Sequence, residues 1–208
     1  MAVTLAALVA RLQAAVPAKD SVPASADYSR HVQDAVLQLS QDAPLRKTGT
    51  LAVVSGTADY ALPADFLFLI EWPSLLTADG VIINEAGIIP LPDAWEETVD
   101  VAGATLTIDP EPGYTLSRTY RYAALHAQTG GAGSETYATL TETTARVALL
   151  YAQHLALTQQ AVSVSGNNWR YQIGDEMVDK SRQFEGYRAA IETALASYRQ
   201  AVQTLKGY

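Results

Sequence analysis

Apolar residues recur at helical spacing near both ends of the chain. The first stripe predicts a helix over residues 4–16, capped by Thr4 and ended by Pro17. Its members are Leu5, Leu8, Val9, Leu12 and Val16. A second helix is predicted from Ala24 to Asp42, ahead of Pro44, on the stripe Val32, Ala35, Val36 and Leu39.

Two longer helices are predicted in the C-terminal part. Residues from Thr139 to about Val162 are apolar nearly all round, which is typical of a helix in a central position. The last helix is predicted from Asp175 to Lys206, because acids favour a helix start and basic residues a helix end. Its apolar seam has a mean step of about 3.5 residues, as in packed helices. The seam consists of Phe184, Tyr187, Ile191, Leu195, Tyr198, Val202 and Leu205.

The middle of the chain shows the shorter period of β-strands. A hairpin signal stands at Ala102-Gly103, between two β-branched runs, and Tyr120 and Tyr122 alternate with polar residues as in a half-buried strand. These patterns predict an α+β protein that is mainly helical. We expect an antiparallel bundle of about four helices with an inserted small antiparallel β region. It is expected to be one domain, 1–208, with bundle helices from 1–43 and 138–208 and a β-rich insertion at 44–137.

The charge is distributed unevenly along the 208 residues, which carry a formal net charge of −8. Residues 48–117 contain eleven acids and no Lys or Arg. Nucleic-acid binding requires clustered basic residues, so specific DNA binding is not expected. The acidic stretch is either a solvated face or a surface that repels DNA or meets a basic partner. Glu96, Glu97 and Asp100 are the candidate residues of that surface.

No pattern in the sequence predicts catalysis, a cofactor or a metal site. The chain has no cysteine, and His31, His126 and His154 lie in three different predicted elements. No nucleophile, base and orienting group stand together, so an enzyme is not expected. No apolar run is long enough for a membrane span, and the N-terminus lacks the basic start of a signal peptide.

Two short motifs resemble a known family. The first is Tyr60-Ala-Leu-Pro-Ala-Asp65-Phe-Leu67, which enters an apolar run ending at Trp72. The second is Gly174-Asp-Glu-Met-Val-Asp179, ahead of the last helical stripe. Together with the order of two helices, a β region and two long helices, they are similar to the head–tail adaptor (connector) proteins of tailed bacteriophages.

The resemblance implies a non-enzymatic virion protein that assembles in the host cytoplasm and resides in the phage neck. It implies a ring, usually dodecameric, that joins the capsid portal to a stopper, tail-terminator or tail protein while DNA passes through its lumen. The final turns of the last helix are the candidate portal contact. The residues concerned are Tyr198, Val202, Leu205 and Tyr208.

Other functions stay open at this point. The β region could be a non-enzymatic binding module that recognises its ligand through Trp72 or Trp95, although such residues are more often core or interface anchors. The chain could also be another virion structural or tail-completion protein. An enzyme that uses the scattered carboxylates is the least favoured alternative.

Overall fold

The computed structural model describes residues 3–72, 81–84, 87–90, 97–131, 133–165, 170–173, 176–179 and 181–207. The described side chains are those of 3–72, 97–131, 133–165 and 185–207. The chain divides into two compact units. The helical unit consists of Met1–Ala43 and His126–Tyr208, and the β-rich unit is Pro44–Leu125. The predicted insertion, 44–137, begins with the β-rich unit, whereas residues 126–137 belong to the helical unit.

Four helices are described in the helical unit: α1 (Leu5–Ala15), α2 (Ser25–Asp42), α3 (Glu142–Ser165) and α4 (Ser181–Lys206). The predicted cap of α1 is confirmed, because Thr4 accepts a hydrogen bond from the Ala7 backbone N–H at 3.1 Å. At the start of α2, the Asp27 carboxylate accepts from the Ala24 N–H at 3.3 Å. Short two-stranded sheets accompany the helices: β1 (Val3–Thr4) with β10 (Thr136–Tyr137), and β11 (Arg170–Ile173) with β12 (Glu176–Asp179).

Helix α3 holds the helical unit together, because it contacts α1, α2 and α4. Its predicted central position is confirmed by buried residues on several sides, including Ala145, Val147, Leu149, Ala152 and Ala156. The predicted stripes of α1 and α2 are buried around it, with Val9 only partly buried. The buried alanines of α3, including Ala145, Ala152 and Ala156, let the neighbouring helices approach it closely.

The predicted start of the last helix was wrong. Residues Glu176–Asp179 form strand β12, which pairs antiparallel with β11, and α4 begins only at Ser181. The preference of acids for a helix start contributes only about 0.3–1 kcal/mol, and a strand partner immediately before it in sequence outweighs that preference. Helix α4 is therefore about 39 Å long rather than about 48 Å.

The β-rich unit contains two three-stranded antiparallel sheets. One has the order β2-β9-β4, from Leu45–Val53, Leu116–Ala124 and Phe66–Glu71. The other has the order β3-β8-β7, from Asp59–Ala61, Thr105–Asp109 and Thr98–Ala102. Gly103, with φ of 62°, lies in the predicted turn between β7 and β8 and adopts a left-handed conformation that glycine accepts without strain. A separate hairpin is formed by β5 (Val81–Asn84) and β6 (Gly87–Pro90).

The β-rich unit has two hydrophobic clusters, and the first contains residues from both of these sheets. Val53, Tyr60, Leu106, Ile108 and Tyr114 form the first cluster. Tyr120, Tyr122 and Ala124 of β9 form the second, so the predicted alternation in this strand is confirmed. The β region therefore has cores of its own and is not a small insert in a bundle.

The predicted fold class was wrong for this reason. The chain combines four described helices with two three-stranded antiparallel sheets, and it has a mixed α+β fold rather than a mainly helical four-helix bundle. Helical stripes dominate a sequence reading because they are long, whereas most of these strands are short and are specified by partners distant in sequence. Among the described residues, no helix combines the length and hydrophobicity required to cross a membrane.

Gly49 offers a test of the packing in the first sheet. It lies opposite Tyr120 in the pairing of β2 with β9, and a Cβ atom at this position would lie 2.5 Å from Cζ of the tyrosine ring. We expect Gly49→Ala to lower the free energy of unfolding by about 1–3 kcal/mol, because the buried ring has to move. Denaturant unfolding measures this change. Gly113→Ala is the matched control, since nothing lies within 4 Å of its added Cβ; equal losses would contradict the prediction.

Candidate functional site

The histidines and acids do not converge on a catalytic or metal site in the described part of the chain. His31 Nε2 lies 2.7 Å from Gln159 Oε1, and His126 Nδ1 lies 3.1 Å from Thr139 Oγ1. The ring of His154 packs against a tyrosine of the same helix. No group of three or more potential metal ligands occurs among the residues that the structure describes.

The most unusual polar feature is an arginine buried in the β-rich unit. Arg118 on β9 is 3% exposed and forms an ion pair with Glu97, which directly precedes β7. Its guanidinium carbon lies 4.2 Å from the centre of the Trp72 ring, which directly follows β4. The Trp72 indole N–H donates to Glu97 Oε1 at 3.1 Å, and the Tyr114 hydroxyl donates to Glu97 Oε2 at 3.1 Å. We call these four residues the Arg118 cluster.

The cluster fits the requirements for a buried charge. Both carboxylate oxygens of Glu97 accept hydrogen bonds, and the arginine is held by an opposite charge and by an aromatic face. Burial raises the pKa of Tyr114, and the nearby negative charge of Glu97 raises it further. Tyr114 therefore remains a neutral hydrogen-bond donor at physiological pH. The arrangement is suited to positioning strands rather than to transferring protons.

A second polar contact lies beside the Tyr120–Tyr122 cluster. Lys47 donates to the Asp65 carboxylate, and the Tyr122 hydroxyl donates to the same group at 3.3 Å. The hydrogen bond with Asp65 raises the pKa of Lys47, although desolvation acts in the opposite direction. Phe66 stacks on Tyr122 with ring centres 5.6 Å apart. Asp65 and Phe66 of the first sequence motif thus help to join β2, β4 and β9.

The β-rich unit is acidic as a whole. Its sequence contains eleven acids and four basic residues, a formal charge of −7. Three of the basic residues are paired with acids of the same unit, in Arg118–Glu97, Lys47–Asp65 and Arg121–Glu71. The Arg121–Glu71 pair is exposed and therefore contributes little to stability. Little positive charge in this unit is left for phosphate groups.

The three candidate residues of the acidic surface differ in their placement. The Glu97 side chain is 10% exposed and points into the Arg118 cluster, so its charge is used inside the unit. Asp100 is exposed on β7. Glu96 lies outside the described residues. A role of this surface toward DNA or a basic partner stays a prediction.

The candidate portal-contact residues on α4 are mostly used within the helical unit. Tyr198 and Val202 are 3% and 6% exposed, and Leu205 is partly buried against the same core. The Tyr198 hydroxyl donates to Asp42 Oδ2 at 2.6 Å. Tyr208 lies outside the described residues. Tyr198 and Val202 thus primarily fasten α4 to its unit, and their contact with a partner stays a prediction.

Open surface is available elsewhere on both units. A groove of about 500 Å³ on the helical unit is lined by α2, α3 and α4, with Arg199 and Lys206 among its charged residues. On the β-rich unit, Phe68 and Ile70 of β4 are 50% and 42% exposed. These two residues are separated by one position in the strand, and the pairing of β4 with β9 is irregular between Leu69 and Glu71. Exposed apolar side chains are compatible with a protein contact when they form part of a larger patch.

Trp72 does not support the binding-module hypothesis. One face of its ring is covered by Arg118, and its indole N–H is used by Glu97. The ring is also partly buried against both hydrophobic clusters, and its centre lies 6.0 Å from that of Tyr120. It is therefore used inside the unit rather than as an open platform for a ligand. Trp95, the other candidate, lies outside the described residues.

No protein-family model matches the sequence, and no curated protein matches it either.

Sequence reasoning missed the Arg118 cluster. The sequence did indicate that Arg118 is buried. It lies two and four residues before Tyr120 and Tyr122 in β9 and therefore shares their inward face. Glu97 and Trp72, however, are separated from Arg118 by long stretches of sequence. Only the pairing of strands brings the three side chains together.

Replacing Arg118 tests how much the β-rich unit depends on the cluster. We expect Arg118→Met to lower the free energy of unfolding by about 3–5 kcal/mol, because Glu97 is left as a buried carboxylate without its counter-charge. Arg121→Met on the exposed face of the same strand should change it by no more than about 0.5 kcal/mol. Urea unfolding followed by circular dichroism measures both, and a similar effect of the two substitutions would contradict the prediction.

Tyr137 provides a pH test for the helical unit. Burial, reinforced by the nearby Glu135 carboxylate, raises the pKa of Tyr137 to about 12. A tyrosine in the unfolded chain ionises near pH 10, so the folded state loses stability as the pH rises from about 10 to about 12. We expect Tyr137→Phe to remove this part of the alkaline loss. Unfolding free energies measured at about pH 9 and about pH 11 should differ less for the variant, and parallel losses would contradict the assignment.

Proposed function

We propose that this chain is a structural adaptor of a tailed-bacteriophage neck, without enzymatic activity. In this role it forms a ring between the capsid portal and a stopper, tail-terminator or tail protein, and DNA passes through the lumen. The proposal places the protein in the virion neck after assembly in the host cytoplasm. The main support for the proposal is the first sequence motif, residues 60–67, together with the contacts that its residues make in the β-rich unit.

Three residues of that motif, Tyr60, Asp65 and Phe66, have defined side-chain contacts. The Tyr60 hydroxyl donates to the Thr57 carbonyl at 2.7 Å and accepts from the Val54 N–H at 3.1 Å. Asp65 binds Lys47 and Tyr122, and Phe66 stacks on Tyr122. Residues with such contacts determine the local fold of the β-rich unit. The resemblance to the connector proteins therefore rests on residues that have structural roles in this chain.

The charge distribution also supports the proposal. DNA binding gains affinity from lysines and arginines that release counterions from the phosphates. The β-rich unit has a formal charge of −7, and three of its four basic side chains are paired internally. An acidic surface of this kind does not bind DNA tightly. It is therefore suited to a channel through which DNA moves. Within the proposal, Asp100 and Glu96 contribute to the acidic lumen.

Exposed apolar side chains fit the contacts that a ring requires. Subunits of a cyclic ring use two different surfaces, one for each neighbour. Phe68 and Ile70 on the β-rich unit, and Leu37 and Val162 on the helical unit, are between 42% and 67% exposed. In the proposal these positions are covered by neighbouring subunits, and the last residues of the chain, near Leu205 and Tyr208, contact the portal.

The decisive experiment combines the purified chain with the portal ring of the phage that encodes it. Native mass spectrometry should detect a portal ring carrying many copies of the chain, and electron microscopy of that complex should show a second ring on the portal axis. The portal ring of an unrelated tailed phage is the specificity control. If no complex forms at any ratio of the two proteins, the proposal is wrong.

A further inference from the structure

The groove of about 500 Å³ between α2, α3 and α4 carries more positive than negative charge, and we call it the α4 groove. Its wall includes Gln38 and Asp42 of α2, His154 of α3, and Arg199 and Lys206 of α4. Asp42 is the single carboxylate among the described residues that line it. By charge, the groove therefore suits an anionic ligand.

The carboxylate of the α4 groove is already used inside the unit, whereas its two cations are not. Asp42 Oδ2 accepts from the Tyr198 hydroxyl at 2.6 Å and from Gln38 Nε2 at 3.1 Å. Over the described ranges, neither Arg199 nor Lys206 has a hydrogen bond or an ion pair. The two cations are seven residues apart on α4 and therefore about 10 Å apart along its axis. This spacing allows the groove to bind two carboxylates at once.

His154 adds a neutral donor to the same groove. Its Nδ1 is buried and has no hydrogen-bond partner among the described residues, and its ring packs against Tyr151. A buried N–H without an acceptor is costly, so the neutral imidazole carries its proton on Nε2. The Nε2–H group is then the ring donor that remains for a ligand of the groove.

A turn of the β-rich unit carries two carboxylates that match this groove. We call residues 109–113, at the end of β8, the acidic turn; its Asp109 and Glu111 are exposed and have no ion pair within the described residues. Pro112 is fully buried, and its carbonyl accepts from the Gly56 N–H at 2.9 Å. The base of the turn is thus fixed, so its carboxylates lose little conformational entropy on binding.

We infer that the acidic turn of one copy of this chain binds in the α4 groove of a second copy. The two carboxylates of the turn pair with Arg199 and Lys206, and the Nε2–H group of His154 supplies a further hydrogen bond. Pro110 is exposed between the two acids and packs on the tyrosine rings of the groove, one of which is Tyr151. Charge and shape are therefore complementary on the two surfaces.

This contact deepens the proposed function, and its place in a ring rests on that proposal. The acidic turn and the α4 groove are different surfaces, so each copy offers one to each of two neighbours, as a cyclic assembly requires. The contact itself is tested on the chain alone, without the portal. Failure of this contact and failure of portal binding are therefore separate results.

Reversing the charges on each side tests the contact in the full chain. The groove variant carries Arg199→Glu and Lys206→Glu, and the turn variant carries Asp109→Lys and Glu111→Lys. In sedimentation velocity between about 10 μM and about 1 mM, we expect the unmodified chain to self-associate, and to do so more weakly as salt is added. Each variant alone should associate at least about tenfold more weakly, because its groove and its turn then carry like charges.

A mixture of the groove variant and the turn variant decides whether these two surfaces meet. Each reversed surface then has a partner of opposite charge, and so does each unmodified one. The mixture should therefore associate within about threefold of the unmodified chain. If the groove variant does not fold by circular dichroism, Arg199→Gln with Lys206→Gln takes its place and should also weaken self-association.

The control for net charge is Arg30→Glu with Arg146→Glu, two exposed residues that do not line the groove. This variant has the same net charge as the groove variant and should self-associate as the unmodified chain does. An unmodified chain that stays monomeric at about 1 mM, or a mixture no stronger than its components, would overturn the inference. Duplex DNA that binds the unmodified chain but not the groove variant, without self-association, would assign the groove to phosphate and overturn it as well.

Discussion

An arginine that has lost contact with water has to be paired, and this constraint organises the β-rich unit. Removing an ion from water costs several kcal/mol, and only good geometry with further hydrogen bonds offsets that cost. Arg118 meets the condition with Glu97 beside β7, Trp72 beside β4 and Tyr114 ahead of β9. Strands β4, β7 and β9, which adjoin or contain these residues, are consequently held in one arrangement, since any other would leave a buried charge without its partner.

The helical unit depends on a different principle. Helix α3 is buried on several sides, and small residues such as Ala152 and Ala156 allow its neighbours to pack close to it. The end of α4 is attached by Tyr198, which combines a buried ring with a hydrogen bond to Asp42 on α2. Apolar packing thus supplies the stability, and one polar contact specifies how α4 meets α2.

These two principles bear on the proposed role in a phage neck. A ring component has to be rigid and must not retain the DNA that moves past it. Internal pairing of the basic side chains of the β-rich unit serves both requirements, because each pair fixes two strands and removes a positive charge from the surface. The remaining apolar side chains at the surface, such as Phe68 and Ile70, are then available for protein contacts.

The sequence by itself determined the features that arise from local periodicity. Four features follow from spacing and from the conformational preferences of single residues. They are the apolar stripes of α1 and α2, the central position of α3, the alternation around Tyr120 and Tyr122 and the turn at Gly103. The absence of Lys and Arg from residues 48–117 was equally visible. Tertiary structure alone decided that Glu176–Asp179 pairs as a strand and that the β region forms two cores. It also decided that Glu97 turns inward to Arg118 and that Tyr198 is bound by Asp42. The reason is physical, since contacts between residues distant in sequence depend on how strands and helices are placed, and local spacing carries no information about that placement.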